Sequence, residues 1–417
     1  MSRNVGVAVL VAVAMAWGGP LAAQTGEKEQ PVRAEAWELT VLHDFAGAPG
    51  DGASPTYGSL TLSGSTLYGT TNNGGASDGG VLFKIGTDGS GYVVLHHFGG
   101  NDGYYPNGSL TLSGSTLYGM TAYGGTSNKG VVFSVQTNGT GYTVLHHFTG
   151  QASDGAVPIG SLALSGSYLY GMTREGGTLN AGVLFALGTG GGGFTLLHIF
   201  GLFSDGREPW GSLVTDGANL WGMTNVGGLY DVGVLFWMRT DGSDYTILHH
   251  FEGWPVDGAN PYGTPIRWYT SLYGMTYCGG GENVGVVFSD SVGGGGFTLL
   301  HEFTFGPSEG FYPTADLTRH GSTLYGTTEA GGPDNEGTVF SIGTEGSDYA
   351  VLHSFAYALE GINPMGSLTY SAGALYGMTR RGGGGTLGVI FRLQPLGLIF
   401  ADDFDSGDTS AWSFTQQ

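Results

Sequence analysis

Seven histidines recur at one equivalent position of a repeated stretch, each within the phrase LHxF. They are His43, His96, His146, His198, His249, His301 and His353. Histidine is a common zinc ligand, but a zinc site needs its ligands at about 2.1 Å from one point. Outer strands of units that radiate from an axis diverge, and neighbours such as His96 and His97 point to opposite faces of a strand. We therefore predict that these histidines make repeated structural hydrogen bonds between units and bind no metal.

An acidic residue followed by Gly-x-x-Pro comes soon after each of these histidines. The seven acids are Asp51, Asp102, Asp154, Asp205, Asp257, Glu309 and Glu360. The interpretation that we favour is a turn in which the carboxylate caps backbone amides before the glycine. A calcium or cationic-ligand site is the alternative, because oxygen ligands suit hard cations, although no dense DxDxDG loop is present. Four further acids, Asp402, Asp403, Asp405 and Asp408, are either a calcium site or, as we prefer, a solvated acidic tail.

A unique site must use positions at which the repeats differ, because side chains that all repeats share serve the packing that all repeats share. Two loop positions differ most. After the loop proline the repeats carry Thr56, Asn107, Ile159, Trp210, Tyr262, Thr314 and Met365. Before a Gly-Gly pair they carry Asn72-Asn73, Ala122-Tyr123, Arg174-Glu175, Asn225-Val226, Tyr277-Cys278, Glu329-Ala330 and Arg380-Arg381. We expect both loop types to lie on one face.

The bulky and charged members of these loops are our candidates for ligand binding. They are Tyr123, Arg174, Glu175, Trp210, Tyr262, Tyr277, Glu329, Arg380 and Arg381. Aromatic faces beside guanidinium and carboxylate groups are what sugar or peptide binding requires. The alternative is ordinary sequence drift in solvated loops.

Catalysis has less support in the sequence. No GxSxG, HExxH or CxxC motif is present. A paired-carboxylate glycosidase needs two carboxyl groups about 5–9.5 Å apart. Glu175 and Glu329 are the candidates for such a pair, and the sequence does not give their separation. No motif calls for a cofactor, and we expect none.

The elements that position these residues follow from the repeat itself. The leucine of an LYG or LWG phrase recurs with steps of 50 to 52 residues, at Leu67, Leu117, Leu169, Leu220, Leu272, Leu324 and Leu375. A period near fifty that is rich in glycine and β-formers indicates the blades of a β-propeller. The second repeat predicts four strands, separated by turn-forming pairs such as Asn138-Gly139, at Gly108–Leu112, Thr116–Thr121, Gly130–Val135 and Tyr142–Phe148.

The two ends of the chain complete one blade. The seventh repeat lacks its fourth strand, and a copy of that strand, Trp37–Phe45, precedes the first repeat. The sequence therefore predicts an all-β, seven-bladed propeller with four-stranded blades, the last closed by the N-terminal strand. A ring closed in this way has no open edge between its first and last blades, and we expect a monomer.

The recurring phrase LYGMTxxGG…GVLFxI…TDGSxYTxLHxF resembles the GloVer tandem repeat of bacterial secreted proteins, from Trp37 to about Leu393. Kelch propellers are similar in period and in the Gly-Gly pair. The resemblance implies export and a variable C-terminal module that anchors or sorts the protein, and it implies no established activity. The tail Ile399–Gln417 resembles the DxFESGDxSAW stretch near the C-termini of exported bacterial proteins.

Composition and the N-terminus bound the partners and the destination. The net charge is −21, so a nucleic-acid partner is excluded. An apolar stretch from Val5 to Trp17 and the residues Leu21-Ala22-Ala23 predict a signal peptide over 1–23, cleaved after Ala23, and no membrane span. A linker over 24–36, the propeller over 37–395 and an acidic tail over 396–417 follow. The single cysteine, Cys278, excludes an intramolecular disulfide.

These observations favour a secreted, periplasmic or surface-associated binding propeller whose partner is a glycan or an extracellular protein or peptide. The first alternative is a polysaccharide-active propeller enzyme, a hydrolase or lyase that uses carboxylates of the loop face. The second is a structural surface protein whose loops bind nothing specific.

Overall fold

The computed structural model describes residues 36–201, 204–356 and 359–396. The predicted signal peptide over 1–23, all but the last residue of the predicted linker and the tail from residue 397 lie outside the described residues. Within them the chain forms seven four-stranded antiparallel sheets arranged as the blades of a propeller. No helix in the described part of the chain is long and apolar enough to cross a membrane.

Each blade runs from an inner strand at the axis to an outer strand at the rim. The inner strands are Thr61–Ser63, Thr111–Ser113, Ala163–Ser165, Val214–Thr215, Ile266–Trp268, Thr318–His320 and Thr369–Ser371. The second strands are Thr66–Thr71, Thr116–Thr121, Tyr168–Thr173, Asn219–Thr224, Ser271–Thr276, Thr323–Thr328 and Ala374–Met378. The third strands are Val81–Gly86, Val131–Gln136, Val183–Gly188, Val234–Arg239, Val286–Ser291, Thr338–Gly343 and Val389–Pro395. The outer strands are Val93–His97, Thr143–His147, Thr195–Ile199, Thr246–His250, Thr298–Glu302, Ala350–Ser354 and Trp37–Asp44.

The second and third strands form the core because both of their faces are covered by neighbouring blades. In the second blade Phe133 and Val135 of the third strand are fully buried. The glycine of the LYG phrase is required here, since a Cβ on Gly119 would lie 2.5 Å from Cζ of Phe133. The equivalent glycine and phenylalanine meet in all seven blades, which accounts for much of the repetition in the sequence.

The N-terminal strand closes the seventh blade, as predicted. Trp37–Asp44 pairs antiparallel with Val389–Pro395, from Trp37 opposite Pro395 to Asp44 opposite Val389. A register shift between Val41 and His43 repeats the shift found in the outer strands of the other blades. The closing strand therefore reproduces the geometry of the outer strand that it replaces.

A ring of side-chain hydrogen bonds holds the blades together at the axis. The backbone N–H of Ser59 donates to Oγ of Ser109, 2.7 Å away, and the N–H of Ser109 donates in turn to Oγ of Ser161. The same step continues through Ser212, Thr264, Asp316 and Ser367. Each of these residues lies two positions before the paired inner strand of its blade. The predicted strand Gly108–Leu112 includes this segment and therefore starts earlier than the observed Thr111–Ser113.

The ring is also closed between the last and first blades. The hydroxyl of Thr369 donates to the carbonyl of Leu60, 2.5 Å away and 309 positions earlier in the chain. The backbones approach closely at each step, since a Cβ on Gly366 would lie 2.4 Å from the carbonyl oxygen of Gly58. The small residues of the GSL phrase are therefore fixed by the crowding at the axis.

Candidate functional site

The repeated histidines and the repeated acids meet at every junction between blades. His43, His146, His198, His249 and His353 hydrogen bond through Nε2 to Asp51, Asp154, Asp205, Asp257 and Glu360, at distances from 2.7 to 3.2 Å. His96 lies 3.6 Å from Asp102, and His301 lies 3.7 Å from Glu309. A structural hydrogen bond is present at five junctions, but it is made along the chain and not, as predicted, between units. Its acceptor is the acid of the loop that leaves the same strand.

The contact of each histidine with the next blade is ring stacking. His249 stacks on Phe297 with centroids 3.7 Å apart, and His96 stacks on Tyr142 at 3.9 Å. Six junctions have such a pair. At the seventh, the spacing of the closing strand places Leu39 where the others have an aromatic residue. The blade junction therefore combines a hydrogen bond along the chain with an aromatic contact between blades.

The acids also cap their loops, as the turn interpretation predicted. Oδ2 of Asp154 accepts the N–H of Thr149 at 2.9 Å, and Oδ1 accepts the N–H of Gly155 at 2.8 Å. Burial disfavours the ionised form of Asp51, but hydrogen bonds from His43, Tyr92 and two backbone amides outweigh it and lower the pKa of Asp51 to about 2. In the described residues, no group of three or more His, Cys, Asp or Glu side chains is arranged to hold a metal ion.

The two variable loop types share one face because they pair with each other. In the first blade, Gly52–Ala53 of the entering loop pairs with Asn73–Gly74 of the loop between the second and third strands. Similar two-residue ribbons or single bridges occur in the other blades. The expectation of a common loop face is therefore confirmed.

Aromatic side chains from several blades converge on the axis at this face. Trp210 lies edge-on to Tyr262, with centroids 5.0 Å apart, and Tyr262 lies edge-on to Tyr277 at 5.1 Å. Tyr277 stacks on Tyr312 at 4.7 Å with an interplanar angle of 17°. Tyr57 completes the group with an edge contact to Trp210 at 5.9 Å. We call these five residues the axial aromatic cluster, and all are partly buried.

The contacts of Tyr57 show that the axial aromatic cluster lies at the centre of the ring. It enters with the first blade, yet it touches Trp210, which enters with the fourth. Burial and the charges of Tyr262 and Glu329 raise the pKa of Tyr57 to about 12, and Arg380 opposes this rise. A single side chain that reaches groups of the fourth to seventh blades must lie at the centre of the ring.

Sequence reasoning missed both Tyr57 and Tyr312. Tyr57 is a one-residue insertion, because the first repeat reads Pro-Thr-Tyr-Gly-Ser where most others have one residue between proline and glycine. That insertion is the signal that could have identified it. Tyr312 precedes its loop proline and has a φ of 61°, a left-handed conformation uncommon for tyrosine. Its place in the cluster follows only from the stacking on Tyr277.

Charged groups surround the cluster. The guanidinium of Arg174 lies over the ring of Trp210, 5.4 Å from its centroid, and pairs with Glu175 at 2.5 Å. Nη1 of Arg380 lies 3.7 Å from Sδ of Met365. Burial raises the pKa of Glu329, and the nearby Arg380 and Arg381 oppose the rise. The mouth of the axis thus combines aromatic faces, guanidinium groups and a carboxyl group that burial makes a weaker acid.

Of the nine residues predicted for binding, the structure brings together Arg174, Trp210, Tyr262, Tyr277, Glu329 and Arg380, which lie in or beside the cluster. The other three make most of their contacts outside the cluster, although Glu175 also pairs with Arg174 at 2.5 Å. Glu175 faces Lys129, 4.0 Å away, and Tyr123 is exposed beside Tyr105. Arg381 lines a separate cleft of about 690 Å³ together with Glu336 and Asn363.

Comparison of the whole chain with solved structures gives propellers at low sequence identity. An oligogalacturonate lyase in complex with manganese has a TM-score of 0.54 at 11% identity, with 87% of this chain and 98% of that chain covered. An oligogalacturonate lyase from Vibrio parahaemolyticus has a TM-score of 0.52 at 13% identity, covering 86% and 96%. A putative 6-phosphogluconolactonase from Bacteroides uniformis has a TM-score of 0.51 at 18% identity, covering 75% and 88%.

These likenesses establish the class of protein, a seven-bladed β-propeller, and nothing about its chemistry. No curated protein matches the sequence. A family model, described as the Gloeobacter/Verrucomicrobia repeat, matches residues 31–236, 113–321 and 216–413 in overlapping units. The chain belongs to this repeat family, which confirms the resemblance stated from the recurring phrases.

Proposed function

We propose that the protein is an exported carbohydrate-binding propeller, whose axial aromatic cluster stacks on sugar rings. The observation that carries the proposal is the convergence of Tyr57, Trp210, Tyr262, Tyr277 and Tyr312 near the axis, where side chains from different blades can surround a single ligand. Aromatic faces bind the C–H faces of pyranose rings, and Tyr hydroxyls beside them donate and accept hydrogen bonds. Export is supported by the N-terminal sequence.

The charges around the cluster favour a neutral sugar over an anionic one. Arg174 is paired with Glu175, and Arg380 lies near the carboxyl group of Glu329. Opposite charges so close together leave little net field for an anion, while each guanidinium and carboxylate can bind hydroxyl groups. The net charge of −21 further disfavours a polyanionic glycan.

A glycan array, followed by calorimetry on the bound oligosaccharides, tests the proposal. We expect Trp210→Ala to weaken binding of a neutral oligosaccharide by about five- to thirtyfold, since one stacking contact contributes about 1–2 kcal/mol. Tyr168→Ala is the matched control, because Tyr168 is an exposed aromatic residue in the hairpin between the inner and second strands, away from the loop face. Binding that survives Trp210→Ala but is lost in Tyr168→Ala would contradict the proposal, and binding only to peptides would replace it.

A polysaccharide-active enzyme is the second candidate, and one observation favours it. Glu329 has a raised pKa in a partly buried setting among tyrosines, which suits a general acid. Its guanidinium neighbours oppose that role, and Glu175 is held by Arg174 and Lys129. A reducing-end assay on the glycans that bind decides between the two. Turnover that disappears in Glu329→Gln would establish the enzyme, and binding without turnover supports the proposal above.

A further inference from the structure

A second patch on the loop face, away from the axis, breaks the symmetry of the repeats. Large apolar side chains lie at the tips of three loops around the fourth to sixth blades: Leu229, Tyr230, Trp254, Val256 and Phe305. Each is between 52% and 68% exposed. We call these five residues the apolar crescent.

The repeats themselves show that the fold does not require this patch. The corresponding loops at the start of the ring read AGAPGD at 46–51, GGND at 99–102 and TGQASD at 149–154. The corresponding tips between the second and third strands read GASD at 75–78 and GTSN at 125–128. None of these stretches has an aromatic or large aliphatic residue, although the loops occupy equivalent places. Single exposed apolar residues also occur in the equivalent loops at Leu179 and Leu359, but five of them in three loops are typical of an interaction surface.

Two members of the crescent, Trp254 and Phe305, contact the same turn. Nε1 of Trp254 donates to the carbonyl of Gly281 at 3.1 Å, and the N–H of Phe305 donates to the carboxylate of the adjacent Glu282 at 2.6 Å. The two aromatic residues therefore flank one turn from either side. Phe305 is further fixed by an edge contact with Phe311, with centroids 5.0 Å apart. The rings are held in place while more than half of their surface stays exposed.

The charged residues in the loops that carry the crescent are all acidic. The loops that carry it, 228–232, 252–257 and 304–309, contain Asp231, Glu252, Asp257 and Glu309 and no Lys or Arg. Glu282 lies between Trp254 and Phe305, and both Glu252 and Glu282 are exposed. Arg207 of the preceding loop is ion-paired with Asp231. An apolar strip beside the two exposed carboxylates, Glu252 and Glu282, is complementary to apolar side chains interspersed with Lys or Arg.

We propose that the apolar crescent docks a basic amphipathic segment of a partner polypeptide. The apolar tips would bury aliphatic side chains of the segment, and the exposed carboxylates would pair with its cations. A second copy of the chain is disfavoured as the occupant, because each copy carries a net charge of −21 and would bring acid against acid.

Fluorescence anisotropy with a labelled probe tests the proposal on the mature chain. The probe is an 18-residue amphipathic helix of Leu and Lys, and its counterpart has Glu in place of Lys. We expect the Leu/Lys peptide to bind at least tenfold more tightly than the Leu/Glu peptide, with an affinity that falls as salt is raised. The double variant Trp254→Ser with Phe305→Ser should weaken Leu/Lys binding at least tenfold.

The controls separate docking from general attraction to an acidic protein. The matched double variant Tyr168→Ser with Tyr269→Ser removes two exposed aromatic residues from inner-strand hairpins and should bind as the unaltered chain does. Glu252→Lys leaves the apolar tips intact and should weaken binding severalfold, which gives a second readout if the crescent double variant misfolds. Equal binding of both peptides, or equal loss in the two double variants, would overturn the proposal. Self-association, or binding to phosphatidylcholine vesicles, would also overturn the proposal if it is lost in the crescent double variant while peptide binding is retained.

Discussion

Removing the histidine side chain at one blade junction should cost far more stability than removing it at another. Nε2–H of His249 donates to Oδ2 of Asp257 at 2.7 Å, and the ring stacks on Phe297 at 3.7 Å, with planes only 2° apart. His353 bonds to Glu360 at 3.2 Å, and no aromatic ring in the described residues stacks on it. Each ring also has an edge contact with the phenylalanine two residues later in the chain, with centroids 5.1 Å apart for His249 and 4.9 Å apart for His353. His353 is therefore an internal control for the stacking contact and the buried hydrogen bond taken together.

The magnitudes follow from these contacts. A hydrogen bond to a charged group contributes about 1.5–3 kcal/mol, and an aromatic pair adds about 0.5–1.5 kcal/mol. Asp257 is buried, so its bond is at the strong end, whereas the side chain of Glu360 is 44% exposed and can be satisfied by water. We expect His249→Ala to lower the free energy of unfolding by about 2–4 kcal/mol and His353→Ala by about 1 kcal/mol.

Urea unfolding followed by tryptophan fluorescence measures both values. The two variants should unfold with similar slopes against urea, so that a change in midpoint reports a change in stability. Equal losses at the two junctions, or a larger loss for His353→Ala, would refute the assignment of stability to the buried hydrogen bond and the stacking contact. Stoichiometric zinc that is lost in His249→Ala would refute the structural role of the histidines altogether.

Three further outcomes are expected. Deletion of Trp37–Asp44 should leave aggregated or protease-sensitive protein, because it exposes the edge of Val389–Pro395, and a truncated form that melts like the full chain would contradict closure by this strand. Burial lowers the pKa of His96, His301 and His353 below the ordinary 6.5, so the unfolded state binds more protons. The melting temperature should therefore fall as the pH drops below about 6.5. A melting temperature that stays constant from pH 7.5 to 5.5 would contradict this prediction. Burial raises the pKa of Asp316, so its ionisation opposes folding as the pH rises, and Asp316→Ser should stabilise the protein more at pH 7 than at pH 4, as thermal unfolding at the two pH values would show.

Much of the fold could be predicted from the sequence because it rests on local patterns repeated seven times. The spacing of the LYG phrases fixed the number of blades, and the missing strand of the seventh repeat identified Trp37–Phe45 as its closing strand. The predicted strand bounds in the second repeat lie within a few residues of the observed ones. The exception is Gly108–Leu110, which precedes the observed inner strand and makes its contacts with neighbouring blades at the axis. Such contacts join residues about fifty positions apart, so no local pattern records them.

The sequence by itself also determined which positions differ among the repeats, and therefore which residues were candidates for a site. Only the tertiary structure decided which of them meet. Adjacent residues such as Arg380 and Arg381 point to opposite sides of a ribbon, so one reaches the axial cluster and the other lines a separate cleft. Tyr57 meets Trp210 because the ring brings the first and fourth blades together at its centre. Convergence on an axis depends on closure of the whole ring, a long-range property that spacing along the chain does not contain.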